Sequence, residues 1–207
     1  HILTASHCNA YRAHDTNIGT FTIEQPIANG GVRIIRRNIR LWIGQGRAVG
    51  EDDWGIGILD RPITEVVPAR ISARNPKVGE IVTAFGYGCT NRDRGDGSWQ
   101  KRYREFAYGS NPKTLCPGDS GGPLMLGRHG NAIEIVGINS GFYTQSGIDI
   151  WANAVKFRDH IIAIHQGMPL GNVCYRAHVS GNGWLPMVCD GRTGGTIGQS
   201  KQMEAVQ

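Results

Sequence analysis

The sequence predicts an all-β domain with one helix at its C-terminal end, followed by a small β-rich module. Short apolar stretches, several of them alternating with polar residues, are separated by turn residues. Glycine accounts for 30 of the 207 residues, about twice the usual share, as many tight turns between short strands would require. A helical pattern occurs at 155–166, where Phe157, Ile161 and Ile164 lie on one side and Gly167 supplies a stop signal.

The strands of the main domain are predicted from alternation and from β-branched and aromatic content, at residues 20–23, 32–43, 54–59, 80–85, 102–108, 123–126, 133–138 and 147–154. The second of these segments contains Arg36-Arg37-Asn38, which predicts a bulge or bend there. In the C-terminal module, residues 174–179 and 203–206 are strand-like, and a turn is predicted at 181–184.

The motif Gly118-Asp119-Ser120-Gly121-Gly122-Pro123 places one serine between glycines. A serine on such a tight turn can expose its hydroxyl with backbone N–H groups beside it, which suits a nucleophile whose oxyanion is held by amides. A glycine-rich surface turn is the alternative interpretation. Two further motifs upstream, in a consistent order, favour the nucleophile.

A serine hydroxyl needs an adjacent base, and the motif Leu3-Thr4-Ala5-Ser6-His7-Cys8 supplies a candidate in His7. A carboxylate on the far ring nitrogen would fix the tautomer of that histidine. Asp53, just before the predicted strand 54–59, is the candidate, and Asp52 competes with it.

These motifs, in the order His7, Asp53 and Ser120, resemble the trypsin/chymotrypsin-like serine protease family over residues 1–166. The resemblance implies two antiparallel six-stranded Greek-key barrels with the site between them. It also implies that His7 is the general base, Asp53 its orienting acid and Ser120 the nucleophile. The N–H groups of Gly118 and Ser120 would form the oxyanion hole. No cofactor and no metal ion are implied.

The resemblance also implies a set of substrate-binding residues, namely Thr114, Ser140, Gly141 and Phe142. Thr114 lies six residues before the nucleophile, where trypsin-like members carry an aspartate. Without that carboxylate, cleavage after arginine or lysine is disfavoured. Gly141 replaces the usual aromatic residue and Phe142 a usual glycine, so Phe142 is predicted to narrow the pocket and favour small neutral side chains.

The chain begins almost directly with the His7 motif, whereas in the resembled family paired strands precede it. We therefore expect that the front of the first barrel is missing, that the barrel is incomplete and that this polypeptide alone has little activity. In family members activated by cleavage, the aspartate matched by Asp119 pairs with a new N-terminal amine. We expect its partner to lie in the missing segment, or an arginine to replace it.

The five cysteines are interpreted from the same family resemblance. In the family, the cysteine matched by Cys8 bonds to an upstream strand, so Cys8 is expected to lack a partner. The other four are predicted to pair as Cys89–Cys116 and Cys174–Cys189. Disulfides would place the protein outside the cell, as a secreted protein. Reduced, buried thiols are the alternative interpretation.

After a linker predicted at 167–173, the segment from Cys174 to the end resembles the clostridial hydrophobic repeat. The resemblance rests on residues 175–179, on the pair Gly183-Trp184 and on the glycines and polar residues that follow. It implies attachment to a cell-surface glycan or protein. Trp184 is interpreted as the apolar anchor of this small module.

The net charge of +5 and the pI near 9.1 do not indicate nucleic-acid binding, because no nucleic-acid-binding motif accompanies the basic residues. The loop 91–97 lacks the spacing of a calcium loop, and no membrane span is predicted. Two functions remain. One is a secreted serine endopeptidase that acts on a protein or peptide substrate. The other is a protease-like surface-binding protein without turnover.

Overall fold

A computed structural model describes residues 1–9, 19–28, 30–45, 49–132, 134–166, 174–175, 177–185, 188–189 and 203–206. The contacts divide the chain into two compact units, His1–Arg158 and Asp159–Gln207. The all-β prediction is confirmed, since strands dominate both units and only one α-helix occurs in the described part of the chain. The two described helices, of four and eight residues, fall short of the length that a membrane span requires.

The first sheet of unit His1–Arg158 has four antiparallel strands in the order β1-β4-β3-β2. These are β1 (Ile2–Thr4), β2 (Thr20–Pro26), β3 (Val32–Gln45) and β4 (Trp54–Leu59). Residues 32–38 of β3 pair regularly with β2, so the bulge predicted at Arg36-Arg37-Asn38 is wrong. The register instead shifts between Ile39 and Leu41, where the pairing of β3 with β2 has ended and its pairing with β4 begins.

The second sheet has six strands, five of them in the order β10-β9-β8-β6-β7, with β5 beside β9. The strands are β5 (Arg70–Ile71), β6 (Ile81–Gly86), β7 (Arg102–Ala107), β8 (Pro123–Leu126), β9 (Glu134–Phe142) and β10 (Asp149–Asn153). Alternate side chains of these strands form a buried core of Val82, Ala84, Phe106, Leu124 and Val136. Strands β1 and β5 are not predicted by the sequence, because they are too short to show a period.

Strand pairing places His7 and Asp53 at one end of the first sheet and Ser120 just before a strand of the second sheet. Because Thr4 of β1 pairs with Gly55 of β4, the turn that follows β1 and the residue that precedes β4 lie at one end of the first sheet. A 3₁₀ turn at Ser6–Asn9 holds His7 there, next to Asp53. In the second sheet the start of β8, just after Ser120, is paired with β9.

Unit Asp159–Gln207 contains most of helix α1 (Arg158–His165), which begins three residues later than predicted. It also contains β11 (Cys174–Tyr175), β12 (Ala177–Val179), β13 (Gly183–Trp184), β14 (Val188–Cys189) and β15 (Met203–Val206). The strand predicted at 174–179 is two strands with different partners, because β11 pairs with β14 whereas β12 pairs with β13 and β15. The linker predicted at 167–173 lies outside the described residues.

The C-terminal module buries small and β-branched residues rather than its tryptophan. Ala177 and Val179 of β12 are buried, whereas Trp184 is 45% exposed. The indole lies across from His178 in the strand register, and the two rings meet edge to face at 5.2 Å. The interpretation of Trp184 as a core anchor is therefore wrong.

Candidate active site

His7 and Asp53 are joined by two hydrogen bonds. The His7 backbone N–H donates to Asp53 Oδ1 at 2.9 Å, and His7 Nδ1 lies 2.5 Å from Asp53 Oδ2. The Asp53 side chain is fully buried, whereas the imidazole is 24% exposed. A carboxylate on Nδ1 selects the tautomer that leaves Nε2 free to accept a proton. The pair therefore has the geometry of an oriented base.

Asp53 accepts a third hydrogen bond, from a residue that the family resemblance assigns to substrate binding. Ser140, in β9, is buried, and its hydroxyl donates to Asp53 Oδ2 at 2.6 Å. The same hydroxyl oxygen accepts the N–H of Gly50 at 2.9 Å. Ser140 thus fixes the carboxylate from the second sheet. The competing Asp52 is exposed and bonds Lys156 at 2.9 Å instead of His7.

Ser120 lies on a turn that packs against the chain just before His7. A Cβ atom built on Gly121 would collide with Thr4, and it would lie 3.3 Å from the backbone N of Ala5. The Ser120 hydroxyl donates to the carbonyl oxygen of Ser140 at 3.4 Å. No hydrogen bond joins Ser120 to His7 in the described part of the chain. In unliganded sites such bonds are often long and tighten only with substrate.

The turn before Ser120 leaves two backbone donors available. Gly118 has φ +96°, a conformation that favours glycine, and a Cβ atom built on it would lie 3.1 Å from the Cα of Gly88. Among the described residues, the N–H groups of Gly118 and Ser120 donate to no protein acceptor, whereas those of Asp119 and Gly121 do. Unoccupied donors of this kind are what an oxyanion hole requires.

The comparisons with known proteins agree with this geometry. Residues 89–161 match the family model described as Trypsin. The chain carries a trypsin-like domain. Residues 178–207 match the model described as clostridial hydrophobic W, as the sequence predicted. No curated protein matches the chain.

Solved structures share the fold of the trypsin-like domain. Human heparin binding protein is 16% identical, with a TM-score of 0.59 over 81% of this chain and 82% of that one. Two mutants of human heparin binding protein (CAP37) are 16% and 17% identical, with TM-scores of 0.58 and 0.59, each over 82% of this chain and 83% of theirs. At this identity, the likeness shows the fold alone.

Asp119 of the trypsin-like domain is held by backbone N–H groups, and no arginine pairs with it among the described residues. Gly88 N–H donates to Oδ1 at 2.8 Å, and Cys116 N–H donates to Oδ2 at 2.9 Å. A Cβ on Gly86 or Gly88 would run into this carboxylate. The glycines of Gly86-Tyr87-Gly88 are therefore required by close approach of the Asp119 side chain.

A cavity of about 200 Å³ adjoins Asp119 and is lined also by Thr114, Leu115 and Asn139. Asn139 donates its amide to the carbonyl oxygens of Phe85 and Asp119, at 2.8 and 3.1 Å. Its buried Oδ1 accepts no hydrogen bond among the described residues, and neither does the buried hydroxyl of Thr114 take part in one. Two residues that line the cavity therefore carry a buried polar atom without a partner among the described residues.

The predicted substrate-binding residues lie together but differ in role. Gly141 leaves room for Val49, whose Cγ1 would be 2.8 Å from a Cβ built there. Phe142 is the register partner of Asp149 in β9 and β10, and Thr114 donates its N–H to Asp149 Oδ2 at 2.6 Å. Asp149, at the start of β10, was missed by sequence analysis because no motif surrounds it. Its side chain is fully buried and pairs with Arg92.

The predicted disulfide Cys89–Cys116 is present. It ties the loop after β6 to the segment before Ser120. Cys174 and Cys189 are direct partners in the register of β11 and β14, but their side chains lie outside the described part, so their disulfide stays a prediction.

Cys8 is a free cysteine, as the sequence predicted. Although the residue is exposed overall, desolvation by nearby atoms raises the pKa of its thiol. Repulsion from Asp53 raises this pKa further, against a hydrogen bond with Thr4 that lowers it. The thiol therefore stays protonated at neutral pH and is a weak nucleophile. The described residues contain no cluster of three or more histidine, cysteine or acidic side chains suited to a metal ion.

Proposed function

We propose that this protein is a serine endopeptidase that cleaves peptide bonds through an acyl-enzyme on Ser120. The observation that carries the proposal is the network of His7, Asp53 and Ser140, with Ser120 bonded to Ser140 and available N–H groups beside it. The match of residues 89–161 to the trypsin family supports the same reaction.

In this proposal, His7 Nε2 takes the proton of the Ser120 hydroxyl as its oxygen attacks the scissile carbonyl. The oxyanion that develops is received by the N–H groups of Gly118 and Ser120. His7 then gives the proton to the leaving amine. Water, activated by the same imidazole, releases the acyl group from Ser120 and restores the enzyme.

Asp53 stabilises the imidazolium formed during these steps, because its buried carboxylate is already hydrogen-bonded to Nδ1. The Ser140 hydroxyl holds that carboxylate against reorientation. Each group is thus positioned before substrate arrives, which reduces the reorganisation needed in the transition state.

We also place the protein outside the cell. The disulfide Cys89–Cys116 is stable in an oxidising compartment and rare in the cytosol. The C-terminal match to the clostridial hydrophobic W family, on residues 178–207, supports attachment of the protease to a cell-surface glycan or protein.

The test is covalent labelling with a fluorophosphonate, followed by peptide mapping. The full-length wild-type protein should be labelled on Ser120 and should hydrolyse peptides, whereas its Ser120→Ala variant should show neither. Ser98→Ala, in an exposed loop, is the matched control and should behave as wild type. Absence of labelling from folded wild-type protein, shown by circular dichroism, would contradict the endopeptidase.

The second candidate is a protease-like protein that binds surface glycans or proteins without turnover. It is supported by the fold shared with human heparin binding protein and by the net charge of +5. Retention of the wild-type chain on heparin or on isolated cell walls, together with absent fluorophosphonate labelling, would favour this candidate over the first.

A further inference from the structure

The Arg92 side chain enters the region predicted to receive the substrate side chain. Arg92 lies in the loop between β6 and β7, far in sequence from the other residues of this region. Its guanidinium nevertheless lies among the segments that carry Thr114, Phe142 and Asp149. These segments are walls of the predicted pocket, so the arginine occupies space between them.

Three hydrogen bonds fix the guanidinium. Arg92 Nε donates to the carbonyl oxygen of Leu115 at 2.5 Å, and Nη1 donates to that of Gly147 at 2.8 Å. Nη2 forms a hydrogen-bonded ion pair with Asp149 Oδ1. A planar guanidinium satisfied in this way on three sides is held in one orientation.

Phe142 covers one face of the same group. The guanidinium carbon lies 4.1 Å from the centre of the Phe142 ring, within the range of a cation–π contact. The Arg92 side chain is 21% exposed and that of Asp149 is fully buried. The aromatic ring and the ion pair together leave little room for a large substrate side chain.

Asp149 is fully engaged by this arrangement. Besides Arg92, it accepts the N–H groups of Thr114 at 2.6 Å and of Leu115 at 3.1 Å. A substrate arginine or lysine would need this carboxylate as its charge partner, but the protein's own arginine already holds it. The pocket is therefore both occupied and electrically neutral.

We propose that Arg92 is the specificity-determining residue of this site, a built-in plug that restricts the side chain before the cleaved bond to small uncharged groups. The proposal rests on the proposed endopeptidase function for its consequence in catalysis. Its structural content is that removal of Arg92 exposes the Asp149 carboxylate to ligands. The variant Arg92→Ala would then accept basic side chains.

The experiment measures binding and hydrolysis separately, on the full chain. Benzamidine, an aromatic amidine, is titrated calorimetrically into wild type, R92A and R92A/D149N. We expect binding to R92A alone, since only that variant offers an unpaired carboxylate. Hydrolysis of a peptide series should show a rise of roughly 10- to 100-fold in the R92A preference for arginine over alanine, the range of a charge-assisted hydrogen bond.

The double variant keeps the test decisive if R92A does not fold, because it leaves no unpaired buried charge. R92A/D149N should cleave after leucine or phenylalanine, which wild type rejects, but not after arginine. An unchanged peptide profile in R92A/D149N would overturn the plug, and so would cleavage after arginine by wild type. Benzamidine binding by R92A without hydrolysis by any variant would support the plug and contradict the proposed function.

Discussion

The side chains of two aspartates, Asp53 and Asp149, are equally buried but have different hydrogen-bond partners. The side chains of Asp53 and Asp149 are both fully buried, and each accepts three hydrogen bonds. Asp53 receives two from His7 and one from the Ser140 hydroxyl. Asp149 receives two from backbone N–H groups and one from the Arg92 guanidinium.

The partner decides what each carboxylate can do. An imidazole gains and loses a proton near neutral pH, so the pair of His7 and Asp53 can take part in proton transfer. A guanidinium stays charged at any pH a protein tolerates, so the pair of Arg92 and Asp149 is a fixed structural element. Equal burial thus yields a candidate catalytic pair in one region and a filled pocket in the other.

The largest expected effect is the loss of activity when the pair of His7 and Asp53 is disrupted. Asp53→Asn should lower kcat/KM for peptide hydrolysis about 10⁴-fold at neutral pH, because the amide stabilises the wrong imidazole tautomer. Asp52→Asn is the matched control and should change kcat/KM little, since its carboxylate is exposed and bonds only Lys156 among the described residues. Equal activity of the two variants would remove Asp53 from the proposed mechanism.

The second effect is on the stability of the protein and comes from the pair of Arg92 and Asp149. Arg92→Ala should lower the free energy of unfolding by about 3 kcal/mol in urea, because it leaves the buried Asp149 charge without its counterion. Arg128→Ala breaks an exposed ion pair with Glu105 and should cost less than about 1 kcal/mol. Equal losses of unfolding free energy in Arg92→Ala and Arg128→Ala would show that the burial of Asp149 does not make its ion pair more important for stability than the exposed one.

The third effect tests whether Asp53 needs its serine partner. Ser140→Ala removes one hydrogen bond to the carboxylate, and kcat/KM should fall about tenfold, with a smaller change in KM than in kcat. Ser110→Ala removes an exposed hydroxyl bonded to a backbone carbonyl and should leave kcat/KM as in wild type. Wild-type activity in Ser140→Ala would mean that His7 alone orients Asp53.

The smallest effect comes from an exposed carboxylate, Glu80. Hydrogen bonds from Arg74 lower the pKa of Glu80 to about 2, with a further contribution from the Lys77 N–H. Because the folded pKa lies below the unfolded one, the stabilisation is present above about pH 4.5 and is lost as pH falls towards 2.

Glu80→Gln should therefore lower Tm slightly at pH 7, and its difference from wild type should vanish near pH 2. Glu24→Gln, on the exposed side of β2, serves as the control and should follow wild type at both values. A Tm difference for Glu80→Gln that persists at pH 2 would contradict the ion pair as its cause.

Much of the fold was predictable because strand periodicity is local. The positions of β4, β8 and β10 agree with the sequence pattern to within a few residues. The irregularity of β3 lies a few residues from its predicted position, since it depends on where one strand partner ends and the next begins. Trp184 was misjudged because exposure depends on what the rest of the chain covers.

The sequence alone determined the local chemistry of this protein: a serine between glycines, a histidine after a short strand and an acid before another, each set by neighbouring residues. The tertiary structure decided which distant groups meet. It joins Ser140 to Asp53 across 87 positions and Arg92 to Asp149 across 57. No local pattern encodes such pairs, because they form only where folding brings separate strands and loops together.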